Sequence, residues 1–387
     1  MGQLPNVDIE LVRDGLGLVA ETNDHTCGII LSGVAVADTL ALNKPYAIYS
    51  PDGAKALGIT PTGDNKEAYR HISEFYLVAG SGAKLWILLV PGTAKLSELV
   101  DSDLDVCPAK KLLNRAGGEI VALGLTSTAE VVDTIDGLDS EVYTAMTKAQ
   151  VLADEYQKKI MPFVTILEGR KFSGDADSLR DLKKESRYRN AICLCSTQTD
   201  GSASVGLVLG RIAALPVQRK ISRVKNGSLP IDYGYLSDGV LVNEDREDLG
   251  TIHDKRFIIF RKFPSKSGFY FNGDFTATSA TDDLNIIARI RTIDKATKIA
   301  YNTYIEELDD DVDVNDDGTI NASVAAYLKE RIETQVNGAM AGEISNFEAT
   351  IDTSIDVLAG NAQKIYLDIT PKGYLSAIRV VLGFRNQ

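Results

Sequence analysis

This sequence carries little of what catalysis usually needs. Among 387 residues there are three histidines, one tryptophan and four cysteines. His25, His71 and His253 are scattered, with no HExxH and no second ligand at metal spacing, so no metal site is expected on them. Cys27, Cys107, Cys193 and Cys195 form no CxxC pair. Cys193 and Cys195 flank Leu194 in an apolar run, where strand alternation turns both toward one face as buried thiols. That usage fits a reducing compartment better than a disulfide framework. Long apolar runs are missing too: Leu85 to Val90 spans six residues, against the ~20 a membrane helix needs. The first twenty residues carry Asp8, Glu10 and Asp14 and no continuous apolar core, so no signal peptide is expected. Cationic surplus is absent as well. With 41 Lys and Arg against 54 Asp and Glu the net charge is −13, which repels phosphate backbones and makes nucleic acid an unexpected partner. The expectation is a protein made and folded in the cytoplasm, with no direct membrane insertion.

Nucleotide motifs fail at their decisive positions. Gly201-Ser202-Ala203-Ser204-Val205-Gly206 imitates the start of a phosphate loop, but Leu207 and Val208 follow where Lys and Ser or Thr are required. No GxGxxG opens a helix after a strand, and no GxSxG elbow is present. The reading is a Gly/Ser-rich turn leading into a buried helix. No cofactor and no catalytic residue is assigned.

What is present is a folded chain, 44% apolar and 25% charged, long enough for roughly two or three domains. Val7, Ile9 and Leu11 alternate with acids as in a half-buried strand, with no hairpin partner nearby. From Gly28 the chain alternates strands and helices: strands at Gly28–Val36, Tyr46–Tyr49, Lys84–Val90, Glu119–Gly124, Phe163–Leu167 and Ala191–Cys195. Helices are expected at Lys66–Ala79, around Val142–Ile160, at Asp177–Ser186 and at Ser204–Leu215. Ser50-Pro51-Asp52 reads as a cap, a first-turn proline and a first-turn acid. Three consecutive βα units argue for a mainly parallel sheet covered by helices. The last third changes character, with a hairpin at Arg256–Phe271, a long helix at Asp282–Leu308, a second at Ala322–Met340, and strands at Ile365–Thr370 and Ala377–Phe384.

Two charged features remain. Asp313-Val314-Asn315-Asp316-Asp317-Gly318-Thr319-Ile320 matches the first eight positions of a calcium loop, but Val324 stands where a bidentate Glu is required, so no metal is assigned. The alternative is an Asx-rich turn in which Asn321 or nearby oxygens cap the next helix. On the long helix Arg291, Lys295 and Lys298 fall at i, i+4 and i+7, a basic stripe expected to point away from the apolar face and toward an acidic partner.

These pieces occur in an order that resembles the sheath proteins of contractile phage tails and contractile injection systems. The resemblance runs from Gly2-Gln3-Leu4-Pro5-Asn6-Val7-Asp8-Ile9 and Gly28-Ile29-Ile30 through Tyr49–Ile59. It continues at Phe269-Tyr270-Phe271-Asn272-Gly273-Asp274 and Arg289–Ala296, and ends on Lys364–Gly373. It implies an α/β and α+β fold, with a core domain built from both ends of the chain and an inserted α/β domain. It further implies terminal arms that donate strands to neighbouring subunits, and a sheath that contracts around an inner tube.

The expected division is a 1–20 arm, a 21–255 α/β region, a 256–362 core with the long helix, and 363–387 C-terminal strands. Intersubunit arm residues are expected at Val7, Ile9, Leu11, Ile365, Leu367, Ile369, Ile378, Val380 and Leu382. Arg291, Lys295 and Lys298 are expected to face the tube. Partners are other copies of the chain, the tube, and baseplate and tail terminator proteins. The rival expectation is a soluble α/β enzyme or ligand-binding protein using the crevice at the strand ends.

Overall fold

The computed structural model describes residues 24–243 and 246–379. Its first half is built on β1 (Cys27–Gly33), β2 (Pro45–Ile48), β3 (Leu85–Pro91), β4 (Ala122–Leu125), β5 (Thr134–Ile135), β6 (Leu138–Asp139), β7 (Val164–Glu168) and β8 (Asn190–Cys193). Six of these form one sheet in the order β2-β3-β1-β4-β7-β8. All its pairs are parallel except β2 with β3. Covering helices explain why the strands read as apolar runs without alternation: six of seven β1 residues are buried, and all of β4 and β7.

The helices are α1 (Pro51–Ala56), α2 (Lys66–Ala79), α3 (Pro108–Ala116), α4 (Ser140–Lys158) and α5 (Val205–Ala213). Ser50 caps α1 by accepting from Gly53 N, with Pro51 in the first turn, as expected. All nine residues of α5 are buried. Its glycines let it lie against the backbone of α2, since a Cβ on Gly206 would sit 2.1 Å from the His71 carbonyl oxygen.

The helix expected at Asp177–Ser186 is not formed; only a short 3-10 turn, Leu182–Lys184, appears there. Asp and Ser side chains take its backbone donors instead, Asp175 accepting from Asp177 N and Asp181 from Lys183 N. Cys193 and Cys195 are buried free thiols with their sulfurs 3.1 Å apart, on one face as the alternation predicts.

Next come β9 (Cys195–Ser196), β10 (Tyr235–Leu236), α6 (Leu249–Asp254), β11 (Phe260–Phe263) and β12 (Lys266–Phe271). The chain ends in α7 (Ile287–Tyr304), α8 (Ala322–Ala339), β13 (Ile344–Ile351) and β14 (Ile365–Pro371). Helix α7 starts later than its pattern suggests because the Asp282 carboxylate caps Leu284 N in a preceding turn. The first hydrophobic cluster runs from Cys27 to Ile293 and includes Phe257 to Phe260. The second runs from Ala296 to Ile369. Helix α7 contributes to both, so they meet along it, whereas the sequence reading set a boundary at residue 255. Fully buried Arg189 fixes α7 to the sheet, its guanidinium gripping Asp294 at 2.7 and 2.9 Å.

Candidate functional site

Three places in the fold bear on function. The first is the C-terminal edge of the parallel sheet, where a cavity of about 560 Å³ opens between the ends of β1, β4 and β7 and helix α2. Arg70, Glu168, Arg170 and Lys171 at its wall are each engaged within the fold. Buried Glu168 accepts from Ser127 N at 3.0 Å and Ala203 N at 3.1 Å, tying the loops after β4 and before α5 to β7. Arg70 donates to Glu67, Glu74 and Ser202 at 3.1, 3.2 and 2.9 Å. Burial pushes the Glu74 carboxyl up, but Arg70 beside it and its bonds with His71 and Thr197 bring it down to about 2.

Ser204 donates its hydroxyl to the Glu74 carboxylate 2.8 Å away, a weak base, and His71 Nε2 faces Arg70. The hydroxyl therefore has no imidazole to take its proton, which is what a serine nucleophile needs. Among the described residues no group of His, Cys, Asp and Glu is placed to hold a metal ion. Sequence reasoning missed this network. The spacing of Glu67, Arg70 and Glu74 along one face of α2 was its visible signal.

The second place is the seam along α7. Here the expected basic stripe is corrected. Arg291 and Lys295 are buried, at 3% and 8% exposure, and point inward. Arg291 donates to the carbonyls of Asp24 and Leu215. Lys295 pairs with Asp24 at 2.6 Å and Glu343 at 2.9 Å. Half-buried Lys298 donates to the Gly118 carbonyl at 2.7 Å. The cause is that α7 is enclosed, with thirteen of its eighteen residues buried. In so acidic a protein a cationic stripe serves to neutralise carboxylates and carbonyls that the fold brings inside. Lys295 thereby joins Asp24, the first described residue, to Glu343, which precedes β13. At the start of α7, Asp274 accepts from Ala288 N and Ile221 N. Burial raises its carboxyl to about 6 against those bonds and Lys220.

The third place is the C-terminal hairpin. Strand β14 carries the expected arm residues Ile365, Leu367 and Ile369. It pairs antiparallel with β13 from Ile351↔Ile365 to Ile344↔Pro371. Strand β13 was not expected, because the exposed polar pair Ser345-Asn346 breaks its alternation at a bulge. Ile369 is buried and Ile365 and Leu367 are half-buried. Among the described residues β14 pairs with β13 alone, leaving one edge without a ladder partner. Ile378 is 76% exposed, and residues 374–379 form no strand. Val7, Ile9, Leu11, Val380 and Leu382 lie outside the described residues. The 313–318 segment is a turn closed on itself, Asn315 N donating to the Thr319 carbonyl, and Asn321 caps α8 through Val324 N.

The fold is similar to that of contractile sheath proteins. It superposes on the contracted helical sheath of the anti-feeding prophage with a TM-score of 0.64 at 12% identity, covering all of both chains. An extracellular contractile injection system, the PVC sheath in its contracted state, gives 0.60 at 12% identity, covering all of this chain and 98% of that one. The sheath tail protein Lin1278 of Listeria innocua gives 0.50 at 10% identity, covering 92% and 96%. By sequence the chain belongs to the DUF2586 family, matching its N-terminal domain over residues 4–274 and its C-terminal domain over 283–387. No curated protein matches it.

Proposed function

We propose that this chain is the structural subunit of a contractile sheath, a protein that polymerises around an inner tube and shortens to drive the tube through a target envelope. The observation that carries this reading is full-length agreement with a contracted sheath, covering every part of both chains. A baseplate assembly of the anti-feeding prophage also contains a chain of this fold, at a TM-score of 0.59, which supports baseplate proteins as partners beside other copies of the chain. The inner tube and a tail terminator complete the set.

On this reading the protein is not an enzyme, and contraction draws on new subunit contacts. It works inside a phage tail or injection particle assembled in the cytoplasm. The unpaired edge of β14 suits strand donation, which satisfies exposed backbone groups across subunits while leaving their bodies free to rotate. The arms before residue 20 and after residue 363 are its proposed carriers. Electron microscopy of purified protein tests the reading: hollow tubes are expected, and a monodisperse small particle under all conditions overturns it. Deleting residues 2–19 is expected to leave a folded protein that forms no tubes.

A further inference from the structure

Two segments of the first cluster stand out from the acidic background. Residues 215–231 and 255–273 hold nine Lys and Arg and no carboxylate. The fold brings them together, since Leu229 bridges to Phe269 and Gly268 lies against Ser228. Arg219, Arg223, Lys225, Lys262 and Lys266 are exposed there. Arg223 donates to the Asn226 side-chain oxygen, and Lys262 lies over the Phe269 ring.

The opposite composition is densest after α7. Residues 299–328 hold eight carboxylates and no Lys or Arg. Glu306 and Glu307 are taken by Arg331. The remaining six, Asp309, Asp310, Asp311, Asp313, Asp316 and Asp317, are all exposed.

The two patches cannot meet within one subunit. The basic one sits at the N-terminal end of α7, where Ile221 N bonds the Asp274 carboxylate and Ile287 N bonds the Asp274 carbonyl. The acidic one follows its C-terminal end. Eighteen helical residues separate the ends by about 27 Å. Two complementary patches at opposite ends of one body are the requirement for a head-to-tail contact, which generates helical arrays.

We infer that the basic surface formed by Arg219, Arg223, Lys225, Lys262 and Lys266 receives the aspartate loop 309–317 of a second copy of this chain. The inference rests on the sheath reading and specifies one of its contacts. Exposed pairs are individually weak, at ~0–1 kcal/mol each, so several together hold a lattice that can still rearrange.

The test uses two full-length variants. In one, Arg223, Lys225, Lys262 and Lys266 are changed to Glu; in the other, Asp309, Asp310 and Asp311 are changed to Lys. Each alone carries two patches of one sign and is expected to lose tube formation while keeping a wild-type circular dichroism spectrum. Mixed in equal amounts they are expected to restore tubes, because the basic loop of the second variant fits the acidic surface of the first, and the native acidic loop of the first fits the native basic surface of the second. Normal tubes from either variant alone overturn the inference and leave the sheath reading standing. So does failure of the mixture, which means that the basic surface binds something else, an acidic tube or another polyanion. Absence of tubes from the wild-type chain removes the sheath reading itself.

Discussion

The two clusters joined by α7 are built to different standards of closure. In the first, α5 buries all nine of its residues and β1 six of seven. In the second, α8 buries two of eighteen, Ile332 and Val336, and β14 buries Ile369 alone. Burial of apolar area is the main favourable term in folding, so the sheet body is self-sufficient while the α8 and hairpin region holds surface in reserve. On the proposed sheath reading, that division would let the body keep its shape while the lightly buried part exchanges contacts.

The sharpest way to break this comparison is at the joint. Asp294 neutralises Arg189, which has no exposed surface. Replacing Asp294 by Ala strands a buried charge, and a loss of ~3–5 kcal/mol in urea unfolding is expected. A loss below ~1 kcal/mol means that α7 is not anchored there and that the two regions are less coupled than their geometry implies.

Titration distinguishes the body from its joint. Glu74 ionises at about 2 in the fold against 4.5 normally, so the native state binds fewer protons than the unfolded one between those values. Its stabilisation is full above pH 4.5 and is lost as pH falls toward 2, a contribution of about 3 kcal/mol. Asp274 has the opposite sign. Its carboxyl is raised from 3.8 to about 6, so its ionisation costs stability as pH rises from 4 to 6. Glu74→Gln is expected to flatten the acid limb of the stability curve, and Asp274→Asn to remove the decline between pH 4 and 6. An unchanged acid limb in the Glu74 variant contradicts the assignment.

How far the sequence revealed this division depended on the kind of signal. The parallel strands were legible because they are covered on both faces and read as unbroken apolar runs, and α2 was legible from its single apolar stripe. The basic stripe misled because spacing along a helix says which residues share a face, not what that face meets. Arg291, Lys295 and Lys298 share a face, and the fold turns it inward. The Glu67, Arg70 and Glu74 network stayed hidden because Glu168, Thr197 and Ser204 join it from distant parts of the chain. Strand β13 stayed hidden because the exposed pair Ser345-Asn346 breaks its alternation and its partner lies fourteen residues beyond its end.

Packing inside the body gives a smaller, local test. Gly206→Ala places a methyl against the His71 carbonyl, and backbone cannot move aside as a side chain can. The helices α2 and α5 must separate, at a cost of ~1–3 kcal/mol measured by thermal or urea unfolding. Gly338→Ala, on α8 with open space around it, is expected to stabilise by a few tenths of a kcal/mol up to ~1 through helix propensity. Similar losses at both positions erase the contrast between the regions.

The smallest effect on the subunit is expected where the consequence for assembly is largest. Tyr374 is fastened to the first cluster, its hydroxyl donating to the Gln218 carbonyl at 2.7 Å and its ring lying under Lys220. Beyond that anchor Leu375 and Ile378 are 87% and 76% exposed. A single exposed Leu is ordinary, but two large aliphatic side chains within four residues, just after a strand with an open edge, have little to do in an isolated subunit. Changing both to Ser removes no buried area, so urea unfolding should match the wild type within ~0.5 kcal/mol. If the segment after residue 363 engages a neighbour, the same protein should fail to form tubes. Loss of more than ~1 kcal/mol places the segment in the second core instead. Normal tubes from a normally stable variant remove Leu375 and Ile378 from the assembly contacts and return the burden of cohesion to β14 and the charged patches.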